Sequence, residues 1–348
     1  MVSCLYNFEV DRIINEVSSR NAKRILLQFP DGMKNYALSI AREIKSKLKF
    51  VDVFISADPC YGGCDLAIDE ALRFNVDLII HFGHSPYPIR ELNRIRIPVI
   101  YVPAFSNLSI RRAVENAIRI FNEKKFGVIG LLSTIQHVHK IDEAKEILEN
   151  NGFRVIVGRK CGKVSFDGQI LGCDVCSALS IIDDVDAFLV LAGGDFHALG
   201  VALSTNKPVF VADPFRGECR DISNLVKKTL SLRWYSIVRA SEANIFGIVV
   251  GAKPGQAKVD VALKAKEYIL SKGRECYLII AREITPEVLL PFHDIDAFVI
   301  IACPRIVIDD SIRFRKPILT FGELKIALEG VGDNSNLSSY LRVDLIGN

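Results

Sequence analysis

Two cysteines, Cys60 and Cys64, bracket a pair of glycines in the stretch ADPCYGGCDLA, just after an apolar run. Thiols so placed can ligate a metal, form a redox pair, or fill space as small buried hydrophobes. Further candidates are Cys161, Cys173 and Cys176 in RKCGKVSFDGQILGCDVCSA and Cys303 in IIACPR. Cys4, Cys219 and Cys276 read as packing residues. Glycine lets a backbone come close to a bound group. Cys64 follows Gly62 and Gly63, Cys173 follows Gly172, and Cys303 precedes Pro304, so these three are the favoured metal-binding thiolates.

An odd count of nine cysteines in a long chain argues against a disulfide framework and for metal or redox chemistry. A structural zinc site wants four N or S ligands, usually from two CxxC-like knuckles. Residues 173–176 are CxxC, 60–64 are CxxxC, and the last third of the chain offers a single loop cysteine. A [4Fe–4S] cluster held by three thiolates, with one iron open to substrate, fits this set better. The CxxxCxxC spacing of the common radical enzymes is absent.

The elements that must carry these residues repeat. RILLQFPDGMKNYALSIAREI (24–44), the segment 126–153 and the segment 246–273 each read as an apolar strand, a turn and a helix with apolar residues three and four apart. A second strand follows each, then an Asp-led apolar strand (VDLIIHFGHSP, VDAFLVLAGGD, IDAFVIIACPR), then a fourth after a proline. Three copies, about 110 residues apart, predict three similar α/β domains over 1–108, 109–222 and 223–348. Continuous apolar strands alternating with helices imply mostly parallel sheets flanked by helices. Such sheets bind ligands beyond the carboxyl ends of their strands. The polar clusters PDG 30–32, CYGGCD 60–65, HFGHSP 81–86, STIQHVH 133–139, GGDFH 193–197, KPGQ 253–256 and CPR 303–305 all fall there. Three such ends facing one another, in a pseudo-threefold arrangement, make one central site.

A net charge of +3 is too balanced for a nucleic-acid glove or a polybasic membrane anchor. No apolar run approaches the roughly 20 residues that cross a bilayer, and MVSCLYNFEVDRIINEV starts an amphipathic helix rather than a secretion signal. A cytoplasmic protein is expected.

Taken in order, LLQFPDG, ISADPCYGGCD, HFGHSPYP, TIQHVH, GQILGCD, ADPFRGE, KPGQ and IIACPRIVIDD cover essentially the whole chain. They resemble the archaeal family of 2-(3-amino-3-carboxypropyl)histidine synthases, which perform the first step of diphthamide biosynthesis. The resemblance implies that Cys64, Cys173 and Cys303 hold a [4Fe–4S] cluster between three similar domains of a homodimeric enzyme. It implies that S-adenosylmethionine binds at the open iron, and that an electron from an external donor splits it to methylthioadenosine and a 3-amino-3-carboxypropyl radical. The acceptor implied is C2 of a histidine on translation elongation factor 2.

A carboxylate on the donor needs a cationic fork, and Arg305 is placed to supply one; the alternative is a structural salt bridge. Gln28 and Asp31, Gln136 and His137, and Gln256 stand in the same place after the first strand of each repeat. Contact with the adenosine or substrate is one role for them, and turn or cap residues the other. His81, His84 and His197 read as structural, and Asp195 and Asp213 as helix N-caps. Cys60, Cys161 and Cys176 have no assigned role. Two rival readings stay open. One is a dehydratase resembling quinolinate synthase, with the same architecture; the other is a cluster-binding partner subunit without catalysis of its own.

Overall fold

The computed structural model describes residues 5–89, 92 and 97–330. Cys4 and the last 18 positions of the expected third unit, 331–348, lie outside the described residues. Strand β1 (Tyr6–Asn7) precedes the first large sheet, which is built from β2 (Arg24–Gln28), β3 (Asp52–Ile55), β4 (Leu78–Phe82) and β5 (Val99–Val102). A short strand, β6 (Phe105–Ser106), returns to pair antiparallel with β1. The second large sheet holds β7 (Val128–Ser133), β8 (Arg154–Val157), β9 (Ala187–Leu191), β10 (Val209–Asp213) and β11 (Glu218–Asp221). The third holds β12 (Ile245–Gly251), β13 (Glu275–Ala281), β14 (Ala297–Ile301) and β15 (Ile318–Leu319).

The three sheets share one order: β3-β2-β4-β5, β8-β7-β9-β10 and β13-β12-β14-β15, with β11 added antiparallel at one edge. All other pairings within them are parallel. Helices cover both faces, so the third strand of each unit (LIIHF, AFLVL, AFVII) is buried at every position. Each sheet reverses its order between its first and third strands, the crevice where ligands of open α/β sheets bind.

The aspartate that leads each third strand has a structural cause. Asp77 Oδ2 accepts the backbone N–H groups of Lys23 and Arg24 at 2.7 and 2.8 Å. Asp186 Oδ2 does the same for Gly127 and Val128, both at 2.8 Å. Asp296 Oδ2 takes Asn244 and Ile245, both at 3.0 Å. One carboxylate thus satisfies two donors at the start of the first strand and sets its register with the third. These paired hydrogen bonds hold the carboxyls of Asp186 and Asp296 below their usual range.

Each sheet has its own apolar core, centred on Phe29 and Phe82, on Phe121 and Phe210, and on Phe246 with Ile248. Removing such a buried phenylalanine costs about 3–5 kcal/mol. In the third unit Arg233, fully buried, reaches Glu323 through Nε and Nη2 at 2.7 and 2.8 Å and donates to the carbonyls of Val307 and Ile318. Glu323 also closes a capping box with Thr320. This network ties helix Ser223–Ser241 and helix Phe321–Glu329 to helix Pro304–Asp309, the helix that begins just after Cys303. Among the described residues, no helix is long and apolar enough to cross a membrane.

Candidate metal centre and adjoining cavity

Cys64, Cys173 and Cys303 line one small cavity together. Cys64 and Cys173 come from the loops after the second strand of their units, whereas Cys303 stands two residues beyond the third strand of its own, at the N-cap of helix Pro304–Asp309. The three thiols therefore come from three different sheets' loops, but not from matching positions. Burial pushes the Cys64 thiol up to about 11 and Cys303 up to about 12. It also raises Cys173, against the downward pull of Lys163, Lys258 and a hydrogen bond from Tyr87. Cys173 raises the pKa of both Cys64 and Cys303 further, and Cys64 raises that of Cys303, so ionising one thiol disfavours ionising the next. Three sulfurs in one dry cavity cannot all be anionic unless a cation joins them. That donor set suits a thiolate-bound metal cluster, the species the cysteine sulfurs would hold.

The other cysteines are otherwise engaged. Cys161 and Cys176 form a disulfide with Cα atoms 5.7 Å apart, which leaves Cys173 as the free thiol of the CxxC pair. The odd cysteine count concealed this one bridge. Cys60 is buried, with its thiol pushed up to about 12 by burial. It lies beside His81 and His84, the three donor atoms within 4.8 Å of one another. Cys219 packs against the second unit's core and Cys276 against the third's.

A larger cavity of about 640 Å³ opens beside Cys303, lined by residues of all three units. Arg305 enters it nearly buried, its guanidinium 3.9 Å over the ring of Phe196 and its Nη2 2.7 Å from Asp309 Oδ1. Its Nε and Nη1 have no hydrogen-bond partner among the described residues. Buried donors are rarely left unmet, so two unpaired guanidinium nitrogens on a residue that lines a cavity mark a place for an anion. Burial lowers the Arg305 pKa from its ordinary value.

Gln136 and His137 reach the same cavity from the second unit. Gln136 Nε2 donates to the Gly83 carbonyl at 2.7 Å, and His137, almost fully buried, keeps Nδ1 unpaired. Gln28 and Asp31 are occupied elsewhere and line neither cavity. Gln28 is buried; its Nε2 donates to the Asp65 carbonyl at 2.7 Å, and its Oε1 accepts from Ala67 and faces His81 Nδ1 at 2.9 Å. An amide oxygen only accepts, so His81 Nδ1 carries the proton and its Nε2 receives one from His84 Nδ1 at 2.9 Å. Asp31 is exposed and pairs with Lys34 at 2.6 Å. His197 is half-buried and held neutral, with its pKa lowered to about 3 by desolvation and by Arg305. Asp195 sits at a helix N-cap but makes no cap hydrogen bond; it accepts from Arg220 at 2.6 Å instead. Asp213 likewise binds Arg220 and the backbone of Phe215, capping a turn rather than a helix.

Sequence reasoning missed Lys253 and Glu283. Lys253 Nζ lies 2.8 Å from Asp65 Oδ2 and 2.8 Å from Glu283 Oε1, and 4.1 Å over the Tyr61 ring. The KPGQ cluster was the available signal, because a lysine beside a strand end is rarely buried without a partner.

The fold and site define an α/β protein with a three-thiol centre set where three parallel sheets present their carboxyl ends. The chain belongs to the diphthamide synthesis protein family, whose model it matches over residues 29–340. It is 34% identical over 327 residues to the 2-(3-amino-3-carboxypropyl)histidine synthase of Pyrococcus horikoshii, covering 93% of this chain and 91% of that one. The protein of the same name from Methanocaldococcus jannaschii is 28% identical, with 94% and 92% covered. The crystal structure of Dph2 from Pyrococcus horikoshii with a 4Fe-4S cluster superposes with a TM-score of 0.84 at 33% identity, covering 94% of this chain and 92% of that chain.

Proposed function

We propose that Cys64, Cys173 and Cys303 hold a [4Fe–4S] cluster, and that the chain transfers the 3-amino-3-carboxypropyl group of S-adenosylmethionine to a histidine of translation elongation factor 2. The acceptor is C2 of the imidazole, and the step is the first of diphthamide biosynthesis. The archaeal relatives of that name, matched over more than nine tenths of both chains, support this reading. So does the 4Fe-4S cluster of the similar Pyrococcus horikoshii Dph2 structure. The observation that carries it is the three-thiol cavity opening beside a larger one that contains a buried, half-unpaired arginine.

When bound, the cluster supplies the electron that splits the Cγ–S bond of the sulfonium donor into methylthioadenosine and a carbon radical, with one coordination position for that donor. The chain does the rest. Cys64, Cys173 and Cys303 would hold the cluster in the small cavity, which shares Cys303 and Gln256 with the larger one. The free Nε and Nη1 of Arg305 hold the donor's carboxylate, while Asp309 and the Phe196 ring fix the guanidinium plane. Gln136, His137 and Gln256 are the residues placed to meet the adenosine or the incoming imidazole.

The same reading divides the chain into repeat domains at 1–108, 109–222 and 223–348 around a pseudo-threefold centre, each large sheet falling within one of them. It requires an external one-electron donor and takes a homodimer as the working assembly. Edge strand β13, with Leu278 and Ile280 exposed, offers that dimer a surface.

The test is transfer itself. Anaerobic protein, dithionite, elongation factor 2 and S-adenosylmethionine labelled in its methionine carbons should give one labelled histidine by peptide mass. A fully loaded cluster with no label on the factor would favour the dehydratase or the partner subunit.

A further inference from the structure

The turn Lys253–Gln256 belongs to the third unit yet wraps a thiol of the first. Gly255 N donates to the Cys64 carbonyl at 2.8 Å. A Cβ on Gly255 would stand 2.5 Å from Cys64 Cβ and 2.7 Å from its Cα, so no other residue permits this approach. The approach carries Gln256, itself buried, to where its Nε2 lies 3.5 Å from Cys64 Sγ. The backbone that carries this side chain is fixed on both sides: Gln256 N donates to the Lys253 carbonyl at 2.9 Å, and Lys258 N donates to the Gln256 carbonyl at 2.9 Å. The donors differ from sulfur to sulfur: the Gln256 amide and its own backbone N–H for Cys64, the Tyr87 hydroxyl for Cys173 and the Arg305 backbone N–H for Cys303.

We propose that Gln256 is a positioning residue that sets the reduction potential of the cluster through its hydrogen bond to Cys64 Sγ. The inference rests on the cluster reading above. A hydrogen bond to a ligating sulfur draws electron density from it and favours the reduced, more negative cluster. Gln256 is buried and shares the small cavity with Cys64, where such a dipole is screened less than in water. Gln256 therefore acts on the electron that the reaction consumes, rather than on the donor molecule alone.

The test is an electron-paramagnetic-resonance redox titration of reconstituted wild type, Gln256→Met and Gln256→Glu, with iron and sulfide measured on the same samples. Methionine keeps the length and removes the donor; glutamate puts an acceptor oxygen against the sulfur. At a poise that half-reduces the wild type, the reduced fraction should fall in Gln256→Met and fall further in Gln256→Glu, with iron content unchanged. Equal midpoints in loaded proteins, or a rise in either variant, overturn the proposal. Loss of the cluster from both variants while the wild type loads also overturns it, since Gln256 is then a prop and not a tuner. A wild type that binds no cluster at all overturns the underlying reading instead.

Discussion

Lys253 and Asp65 meet at 2.8 Å with their side chains only 5% and 4% exposed, joining the third unit to the first directly behind Cys64. Burial pulls the Lys253 pKa down, and Asp65 with Glu283 outweighs it, so the ammonium is held charged. Breaking a buried pair from one side leaves the other charge uncompensated, at about 3–5 kcal/mol. Lys253→Met should therefore destabilise the apoprotein by roughly 3 kcal/mol in a urea melt. Lys253→Arg should recover part of the loss. An unchanged midpoint in Lys253→Met would mean that the pair holds nothing.

Arg305 is asked to bind a carboxylate, and that demand is separable from folding. Arg305→Lys keeps a charge but loses the flat fork that meets two oxygens at once. Calorimetric affinity of the reconstituted protein for S-adenosylmethionine should fall roughly 10- to 100-fold, the equivalent of about 1.4–2.8 kcal/mol. Methylthioadenosine, which lacks the carboxylate, should bind both proteins alike. A parallel loss for both ligands would make Arg305 a structural residue.

The Cys161–Cys176 disulfide closes a loop with a sequence separation of 15, and Cys173 lies inside it. Entropy of that size is worth about 3 kcal/mol in the chain-constraint account. The double variant Cys161→Ser, Cys176→Ser should melt correspondingly earlier in denaturant and still retain iron, because the proposed ligand set includes neither residue. Iron loss in this variant, with Cys173 intact, would bring Cys176 or Cys161 into the ligand set.

Four histidines near the site are held in their neutral forms, His81 and His137 buried and His84 and His197 half-buried. His84 and His137 are lowered to about 4, His197 to about 3, and His81 well below its ordinary value, with burial the leading cause each time. In the unfolded chain each takes up a proton near pH 6.5, whereas in the folded chain it does not until far lower. Their stabilising contribution is complete above pH 6.5 and is lost as pH falls toward 4. Unfolding in that window should take up protons, at a slope of about 1.4 kcal/mol per pH unit for each histidine. Urea midpoints at pH 7 and pH 5 measure it; equal values would mean that these histidines charge without unfolding.

Much of this was legible because parallel strands covered on both faces must be apolar throughout. LIIHF, AFLVL and AFVII announce themselves, and so does their spacing. The loop cysteines were visible for a related reason: polar residues at strand ends have no packing duty to explain them. What remained hidden depends on contacts between units. Gln28 was expected in the same place as Gln136, but it ends strand β2 and matches Leu132, whereas Gln136 lies three residues beyond β7; Asp65 and His81 enclose Gln28, and no periodicity shows which neighbours a side chain will have. The pairing of Cys161 with Cys176 and the reach of Gln256 to Cys64 arise the same way. The aspartates leading the third strands are visible as a repeat; their role as double acceptors needed the sheet order.

The most direct test is the nucleoside formed when the anaerobically reconstituted protein is reduced and given S-adenosylmethionine, compared with Cys64→Ala, Cys173→Ala, Cys303→Ala and Cys276→Ala. Wild type and Cys276→Ala should yield methylthioadenosine only with reductant present. The three cavity variants should lose cluster and product together. Deoxyadenosine in place of methylthioadenosine, or full iron and turnover in any one of those three variants, would contradict the assignment.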